Sequence, residues 1–166
     1  MRVLGIDPGT AATGYGIVEA RGRSYRLLEC GVVRTSADEA LSVRLAAIHE
    51  GVLDVIERHA PDCLAVEGVF YRKNARTAVI LAHARGAAML AGALRGLPVL
   101  EYPPAEIKNS VVGSGRATKD QVGYMVQKLL ELAETPTPAD AADGCAVALC
   151  HLLTGTGAVA ERRAAL

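Results

Sequence analysis

The chain opens with a short apolar run, Val3-Leu4-Gly5-Ile6, that stops at Asp7 and is followed directly by Pro8-Gly9-Thr10. An apolar run of this length bounded by turn residues predicts a buried strand. Proline presets the backbone for a turn and glycine accepts a positive φ, so the chain is expected to turn directly after Asp7. Taken alone, the stretch is best explained as an ordinary turn. Its significance depends on where the other acidic residues lie.

A second apolar run, Asp62-Cys63-Leu64-Ala65-Val66, also ends in a carboxylate, Glu67. An ionised group at the end of a buried strand is costly unless it meets a cation or a polar partner. Acidic residues are mostly exposed, so a strand-end side chain that simply reaches solvent is an equally good explanation.

Asp140 and Asp143 are three residues apart in a predicted helix, which places both on one helix face, in its first turn. Acids near a helix N-terminus gain about 0.3–1 kcal/mol from the macrodipole, which is the structural explanation for them. The apolar residues 144–149 that follow predict a helix packed on the sheet, a poor place for two solvated carboxylates. The four acids, Asp7, Glu67, Asp140 and Asp143, therefore predict a site for two divalent cations that hold a phosphodiester between them.

The remaining pattern predicts an α/β fold with a mixed five-stranded sheet flanked by helices: three antiparallel strands, then parallel strands. Strands are predicted at 2–7, 14–20, 25–34, 62–67 and 98–102, and helices at 41–56, 76–94, from 104, at 122–130 and from 138. Thr118 and Gln121 form a capping box, and Thr137 and Pro138 are predicted as the N-cap and first residue of the last helix. A chain of 166 residues, 51% hydrophobic, suits one domain, assigned to 1–154, with a flexible tail at 155–166.

Charge is balanced over the whole chain, with 18 basic and 18 acidic residues, so a nucleic-acid partner would have to be met by a local patch. Residues 68–130 carry 9 basic and 3 acidic side chains, whereas 1–67 carry 7 and 10, and 131–166 carry 2 and 5. A basic middle between acidic flanks suits phosphate contacts from one segment and metal ions held by the others. The predicted DNA-binding residues are Phe70, Arg72, Lys73, Arg76, Lys108, Arg116 and Lys119.

The sequence predicts neither a targeting segment nor a cysteine redox motif. Apolar stretches are interrupted by charges or glycines short of about 20 residues, and no leader pattern is present, which predicts a cytoplasmic protein. The four cysteines, Cys30, Cys63, Cys145 and Cys150, form no C-x-x-C pair and are expected to be buried reduced thiols.

Several motifs between residues 3 and about 153 resemble those of the RuvC-type Holliday-junction resolvases and follow one another in the same order. They are Gly5-Ile6-Asp7-Pro8-Gly9-Thr10, Val66-Glu67-Gly68-Val69-Phe70, Lys73-Asn74, Ala84-Arg85-Gly86, Lys108-Asn109-Ser110-Val111-Val112-Gly113, Lys119 and Asp140-Ala141-Ala142-Asp143. Gly68 and the Gly144-Cys145 pair depart from the family pattern.

The resemblance implies a ribonuclease-H-like fold, a homodimer and nicking of four-way DNA junctions with Mg²⁺ or Mn²⁺, two ions per site. It also implies that the four acids are the catalytic metal ligands and that Phe70 wedges against junction bases, with Lys108 and Lys119 near the scissile phosphate. A branch-migration motor as a partner follows from the resemblance alone.

Two other functions stay open from the residues. A strand ending in Asp-x-Gly-Thr also resembles the phosphate loop of actin-like ATPases, although those folds need two such lobes. The second alternative is a nuclease acting on RNA or an RNA–DNA hybrid, or a DNA-binding module without activity, because a ribonuclease-H-like core does not by itself define a substrate.

Overall fold

The computed structural model describes residues 1–68 and 75–154, with the side chains of 75 and 76 excepted. Five strands and five helices follow one another in these regions. They are β1 (Arg2–Asp7), β2 (Ala12–Arg21), β3 (Ser24–Arg34), α1 (Leu41–His59), β4 (Cys63–Glu67), α2 (Ala75–Leu94), β5 (Val99–Tyr102), α3 (Pro104–Val112), α4 (Lys119–Leu129) and α5 (Ala139–Thr154).

The strands form one sheet in the order β3-β2-β1-β4-β5. β1 and β3 both pair with β2 in antiparallel fashion, while β4 runs parallel to β1 and to β5. The predicted mixed sheet, three antiparallel strands followed by parallel ones, is confirmed. The central strands β1 and β4 are buried on both faces, so each is a nearly continuous apolar run.

Side-chain alternation divides the core between the two faces of the sheet. Leu4, Ile6, Leu64 and Val66 point to the face covered by α1 and α2. Their neighbours in β1 and β4 point to the opposite face, which packs against α3, α4 and α5. Because successive strand residues alternate, the last residues of β1 and β4 point toward α5.

The predicted N-terminus of α4 is confirmed, whereas that of α5 is not. The Thr118–Gln121 capping box is confirmed: Thr118 Oγ1 accepts from the Gln121 N–H at 3.3 Å, and the Thr118 N–H donates to Gln121 Oε1 at 2.9 Å. Pro138 was predicted to be the first residue of α5, but the helix begins at Ala139. Pro138 precedes the helix, after a cis peptide bond, and its carbonyl accepts from the Ala141 N–H.

Helix α2 is long and apolar. By length and composition alone, Thr77–Leu94 could cross a membrane, a test that core helices of soluble proteins also pass. The stretch is 18 residues long and is interrupted by Arg85, Gly86 and Gly92. In the fold, Ala84, Ala88 and Ala91 are fully buried, and small side chains at these positions let α2 lie close to the sheet.

Candidate active site

Two of the predicted acids lie side by side at one edge of the sheet. Asp7 is the last residue of β1 and Glu67 the last of β4, and the parallel register pairs the preceding residues, Ile6 and Val66. The two side chains share a hydrogen bond. Parallel pairing therefore brings together two carboxylates that are sixty residues apart in sequence.

Helix α5 brings the other two acids to the same place. One carboxylate oxygen from each of Asp7, Asp140 and Asp143 lies within 4.8 Å of the others. Asp140 lies in the first turn of α5, as predicted, whereas Asp143 lies one turn further along the same face, because the helix begins only at Ala139. The cluster is thus built from a strand end and two successive helical turns.

Glycines set how closely α5 approaches the sheet. A Cβ atom at Gly14 of β2 would lie 1.9 Å from the carbonyl oxygen of Asp140, and one at Gly144 would lie 2.6 Å from the Tyr15 backbone. A Cβ at Gly5 of β1 would lie 2.2 Å from the Gly144 carbonyl oxygen. The missing side chains allow direct backbone contact, and this contact places the acids of α5 over Asp7.

The sequence pattern did not predict these close contacts at the glycines. Gly144 was noted only as a departure from the family pattern. The available signal was the i, i+2 spacing of Gly14 and Gly16 in a strand, opposite a glycine in the final apolar helix.

The electrostatics of the site oppose a full set of negative charges. The pKa of Asp7 is raised to about 8, first by burial and then by the charges of Glu67 and Asp143, while Lys119 acts in the opposite direction. A group with this pKa binds a proton at neutral pH unless a cation takes the proton's place. The cluster is therefore suited to a divalent ion.

Lys119, at the start of α4, supplies a nearby positive charge. Its ammonium donates a 2.7 Å hydrogen bond to Asp143 Oδ2, and this bond is the main reason that the pKa of Lys119 is raised. The Lys119 side chain is 70% exposed and that of Asp143 only 18%. A lysine held in this way can also contact a phosphate that enters the site from solvent.

The donor set fits hard cations. Asp7, Asp140 and Asp143 offer carboxylate oxygens and no sulfur or imidazole, which is the chemistry that Mg²⁺ and Mn²⁺ prefer. Glu67, hydrogen-bonded to Asp7, adds a fourth carboxylate at the same edge.

An open cleft of about 300 Å³ lies in front of the acids. Its walls include Asp7, Glu67 and Asp143, together with Lys108 of α3 and Lys119 of α4. Two of the predicted DNA-binding lysines thus share one cleft with the acids.

Of the other predicted DNA-binding residues, only the side chain of Arg116 is described. Arg116 is exposed in the connection between α3 and α4 and is not among the residues that line the cleft. Phe70, Arg72 and Lys73 lie outside the described residues. Arg76 is in the first turn of α2, but its side chain is likewise not described.

Two polar pairs near the site were not predicted. Arg85 of α2 forms an ion pair with Glu101 of β5. The buried Tyr102 hydroxyl lies 2.6 Å from His151 Nδ1, which ties β5 to the end of α5. Both are long-range contacts with no local sequence signal.

Comparison with known proteins places this geometry in a family. Residues 3–151 match the family model described as crossover junction endodeoxyribonuclease RuvC. A protein of that name from Desulforamulus reducens is 50% identical over 151 residues, covering 91% of this chain and 93% of its own. The one from Parafrankia sp. is 52% identical, covering 99% and 93%.

Solved structures agree. Thermus thermophilus RuvC in complex with Holliday junction substrate superimposes with a TM-score of 0.87 at 39% identity, covering 93% of this chain and 94% of that one. The yeast mitochondrial Holliday junction resolvase Ydc2 is 16% identical, with a TM-score of 0.59 and coverage of 90% and 78%, so it supports the fold alone.

Proposed function

Because this chain belongs to the crossover junction endodeoxyribonuclease RuvC family, we propose that it is an endonuclease that resolves four-way DNA junctions in recombination and repair. The observation that carries the proposal is the meeting of Asp7, Asp140 and Asp143, whose carboxylate oxygens lie within 4.8 Å of one another. Asp7 and Asp143 also line a cleft that holds two lysines. The junction as substrate is supported by the related RuvC that was solved with a Holliday junction.

The proposed reaction is phosphodiester hydrolysis that leaves a 5′-phosphate and a 3′-hydroxyl. Mg²⁺ or Mn²⁺, two ions per site, would supply an activated water and stabilise the leaving 3′ oxygen. Asp7, Glu67, Asp140 and Asp143 are proposed to hold these ions. The raised pKa of Asp7 supports this assignment, because a bound cation offsets both the burial and the neighbouring negative charges that keep a proton on Asp7.

The lysines of the cleft are proposed to act on the phosphate. Lys119 lies next to Asp143 and Lys108 lines the same cleft, so either ammonium can offset the charge that develops on the pentacoordinate phosphorus. Contacts from Phe70, Arg72, Lys73, Arg76 and Arg116 to the junction arms are part of the proposal. Their support is the basic character of residues 68–130 and the stacking capacity of Phe70.

A junction has two strands to cut, and we propose that a homodimer supplies the two sites. The support comes from α2, in which only 22% of the residues in Thr77–Leu94 are buried. Val79, Leu90 and Leu94 are more than half exposed and share one helix face with Gly86. A second copy that packs α2 against α2 would cover this apolar face.

Several broader assignments belong to the same proposal. Residues 1–154 are proposed to be one nuclease domain, and the tail predicted at 155–166 lies outside the described residues. The protein works in the cytoplasm, and a branch-migration motor is a partner by resemblance to the family.

The test is cleavage of a mobile four-way junction compared with duplex DNA, single strands and an RNA–DNA hybrid, each with Mg²⁺ or Mn²⁺. We expect paired symmetric nicks in the junction alone. Asp7→Asn should abolish cleavage and retain junction binding. Cleavage of the hybrid alone would overturn the proposed substrate, and ATP hydrolysis would support the actin-like ATPase alternative.

A further inference from the structure

Two cysteines from different elements meet beneath the active site. Cys30 lies in β3 and its cross-strand partner in β2 is Gly16. Cys145 lies in α5 directly over Gly16, since a Cβ at Gly16 would be 2.5 Å from Cys145 Sγ and 2.7 Å from its Cα. The thiols of Cys30 and Cys145 are hydrogen-bonded to each other.

The spacing suits a covalent link. Cys30 is paired directly with Gly16 across the strands, with Cα atoms about 4.5–5.5 Å apart, and Cys145 lies over the same glycine. The two cysteines therefore flank one residue that has no side chain to separate them. Both side chains lie on the α5 face of the sheet, where Cys30 packs against the core cluster that contains Cys145. Covalent pairing therefore requires α5 and β3 to approach each other locally.

The two thiols have complementary environments. Cys30 is partly exposed, whereas Cys145 is fully buried. The hydrogen bond from Cys145 lowers the pKa of Cys30 to about 7, so a large share of Cys30 is thiolate at neutral pH. In contrast, burial and Asp62 raise the pKa of Cys63 to about 12. Cys30 is thus the thiol that an oxidant can reach and Cys145 the one that can resolve the product.

We propose that Cys30 and Cys145 form a reversible, hydroperoxide-driven disulfide that locks α5 to β3 and lowers nuclease activity. The Cys30 thiolate attacks the O–O bond of hydrogen peroxide, which yields Cys30 sulfenic acid and one water. The Cys145 sulfur then attacks the Cys30 sulfur, and the sulfenic oxygen leaves with the Cys145 proton as a second water. Two thiols lose two electrons in total, and one peroxide gains them.

The effect on activity follows from the position of Cys145, two residues after Asp143 on α5. A disulfide requires the sulfurs to approach to about 2.05 Å, closer than any hydrogen-bonded pair of thiols. Gly16 already contacts Cys145, so α5 cannot move toward β2 and must shift sideways toward β3. This displaces Asp140 and Asp143 relative to Asp7, and a displacement of about 1 Å can cost about 100-fold in rate.

The cross-link itself is tested without reference to nuclease activity, whereas its effect on cleavage rests on the proposed function. The full-length protein is treated with hydrogen peroxide, then digested without reduction and mapped by mass spectrometry. We expect a peptide pair that joins Cys30 to Cys145, removed by dithiothreitol. It should be absent in Cys30→Ser and retained in the control Cys63→Ala.

Junction cleavage measured on the same samples should fall about 100-fold after oxidation and recover after reduction. It should be unchanged by peroxide in Cys30→Ser. Sulfinic acid at Cys30 without the cross-linked peptide, or a link between two chains, would overturn the proposal. A cross-link that leaves cleavage of the junction unaffected would overturn the inhibitory role. A protein that forms the cross-link but cuts no junction even when reduced would count against the proposed function instead.

Discussion

Gly14 of β2 lies against the backbone of Asp140, so closely that a Cβ atom on Gly14 would be 1.9 Å from the Asp140 carbonyl oxygen. The contact joins the strand that pairs with β1 to the helix that carries two of the acids. The distance between the sheet and the N-terminal end of α5, and with it the geometry of the acidic cluster, is set at this glycine.

Gly14→Ala should therefore separate Asp140 from Asp7. An ordinary Cβ contact needs at least 3.4 Å, so the start of α5 must move outward. We expect junction cleavage to fall about 100-fold and stability to drop by about 1–3 kcal/mol. Cleavage rates and urea unfolding measure the two effects.

Gly123→Ala is the matched control, because its new methyl group meets only the Thr135 side chain, at 3.1 Å. It should keep cleavage within a few-fold of the original protein. Wild-type cleavage by Gly14→Ala would show that the contact does not control the acids.

Metal binding should strengthen as pH rises toward 8. The pKa of Asp7 is raised from 3.8 to about 8, first by burial, so the folded protein holds a proton there that a divalent cation must displace. For one proton, Mg²⁺ affinity should rise about tenfold per pH unit between pH 6 and 8 and level off above. Titration calorimetry across this range measures it, and a flat affinity would contradict the account.

The same shift fixes the sign of the stability change without metal. Between pH 4 and 8 the folded state binds more protons than the unfolded state, so stability in EDTA should fall as pH rises. Asp7→Asn should remove this contribution, and thermal unfolding at a series of pH values tests it. If stability instead rises with pH over this interval, and the rise is lost in Asp7→Asn, the assignment is refuted.

Lys119→Gln should separate catalysis from folding. Lys119 is 70% exposed, so loss of its ion pair with Asp143 should change stability by less than about 1 kcal/mol. Cleavage should nevertheless fall by about 10²–10³-fold if the ammonium stabilises the transition state. Lys128→Gln is the control and should retain activity. Lys128 lies on the same helix, and its ammonium contacts the Tyr124 ring, 5.3 Å from the centroid. Equal losses in both variants would argue for a general effect of charge.

Leu90→Glu should yield a monomer. Leu90 is 51% exposed on the apolar face of α2, where a second copy is proposed to pack. Sedimentation velocity should show the loss of the dimer, and paired nicking of the junction should be lost with it. Val43→Glu, equally exposed at 51% but on α1, should remain dimeric. A dimeric Leu90→Glu protein would place the interface elsewhere.

The positions of Asp7 and Glu67 could be predicted because each ends an apolar run, and the run itself specifies a buried strand. The mixed sheet, three antiparallel strands and then parallel ones, followed from loop lengths and connections, and the Thr118–Gln121 capping box from a local motif. All of these signals span fewer than about ten residues or obey general rules of connection.

The remaining features depend on distant contacts. Nothing local indicates that Gly14 meets Asp140, that Lys119 pairs with Asp143, or that two scattered cysteines share a hydrogen bond. The helix start was misplaced because Thr137-Pro138 fits the preferences of an N-cap and first turn, whereas α5 begins at Ala139. Such details arise from how α4 and α5 pack, which a residue pattern does not encode.

The central claim is that four acids, distant in sequence, jointly bind the divalent cations of a nuclease. Anomalous diffraction from crystals soaked in Mn²⁺ tests this most directly. We predict two peaks bounded by Asp7, Glu67, Asp140 and Asp143, and their loss in Asp7→Asn crystals. Mn²⁺ bound only at other positions, with no anomalous peak at Asp7, would contradict the account.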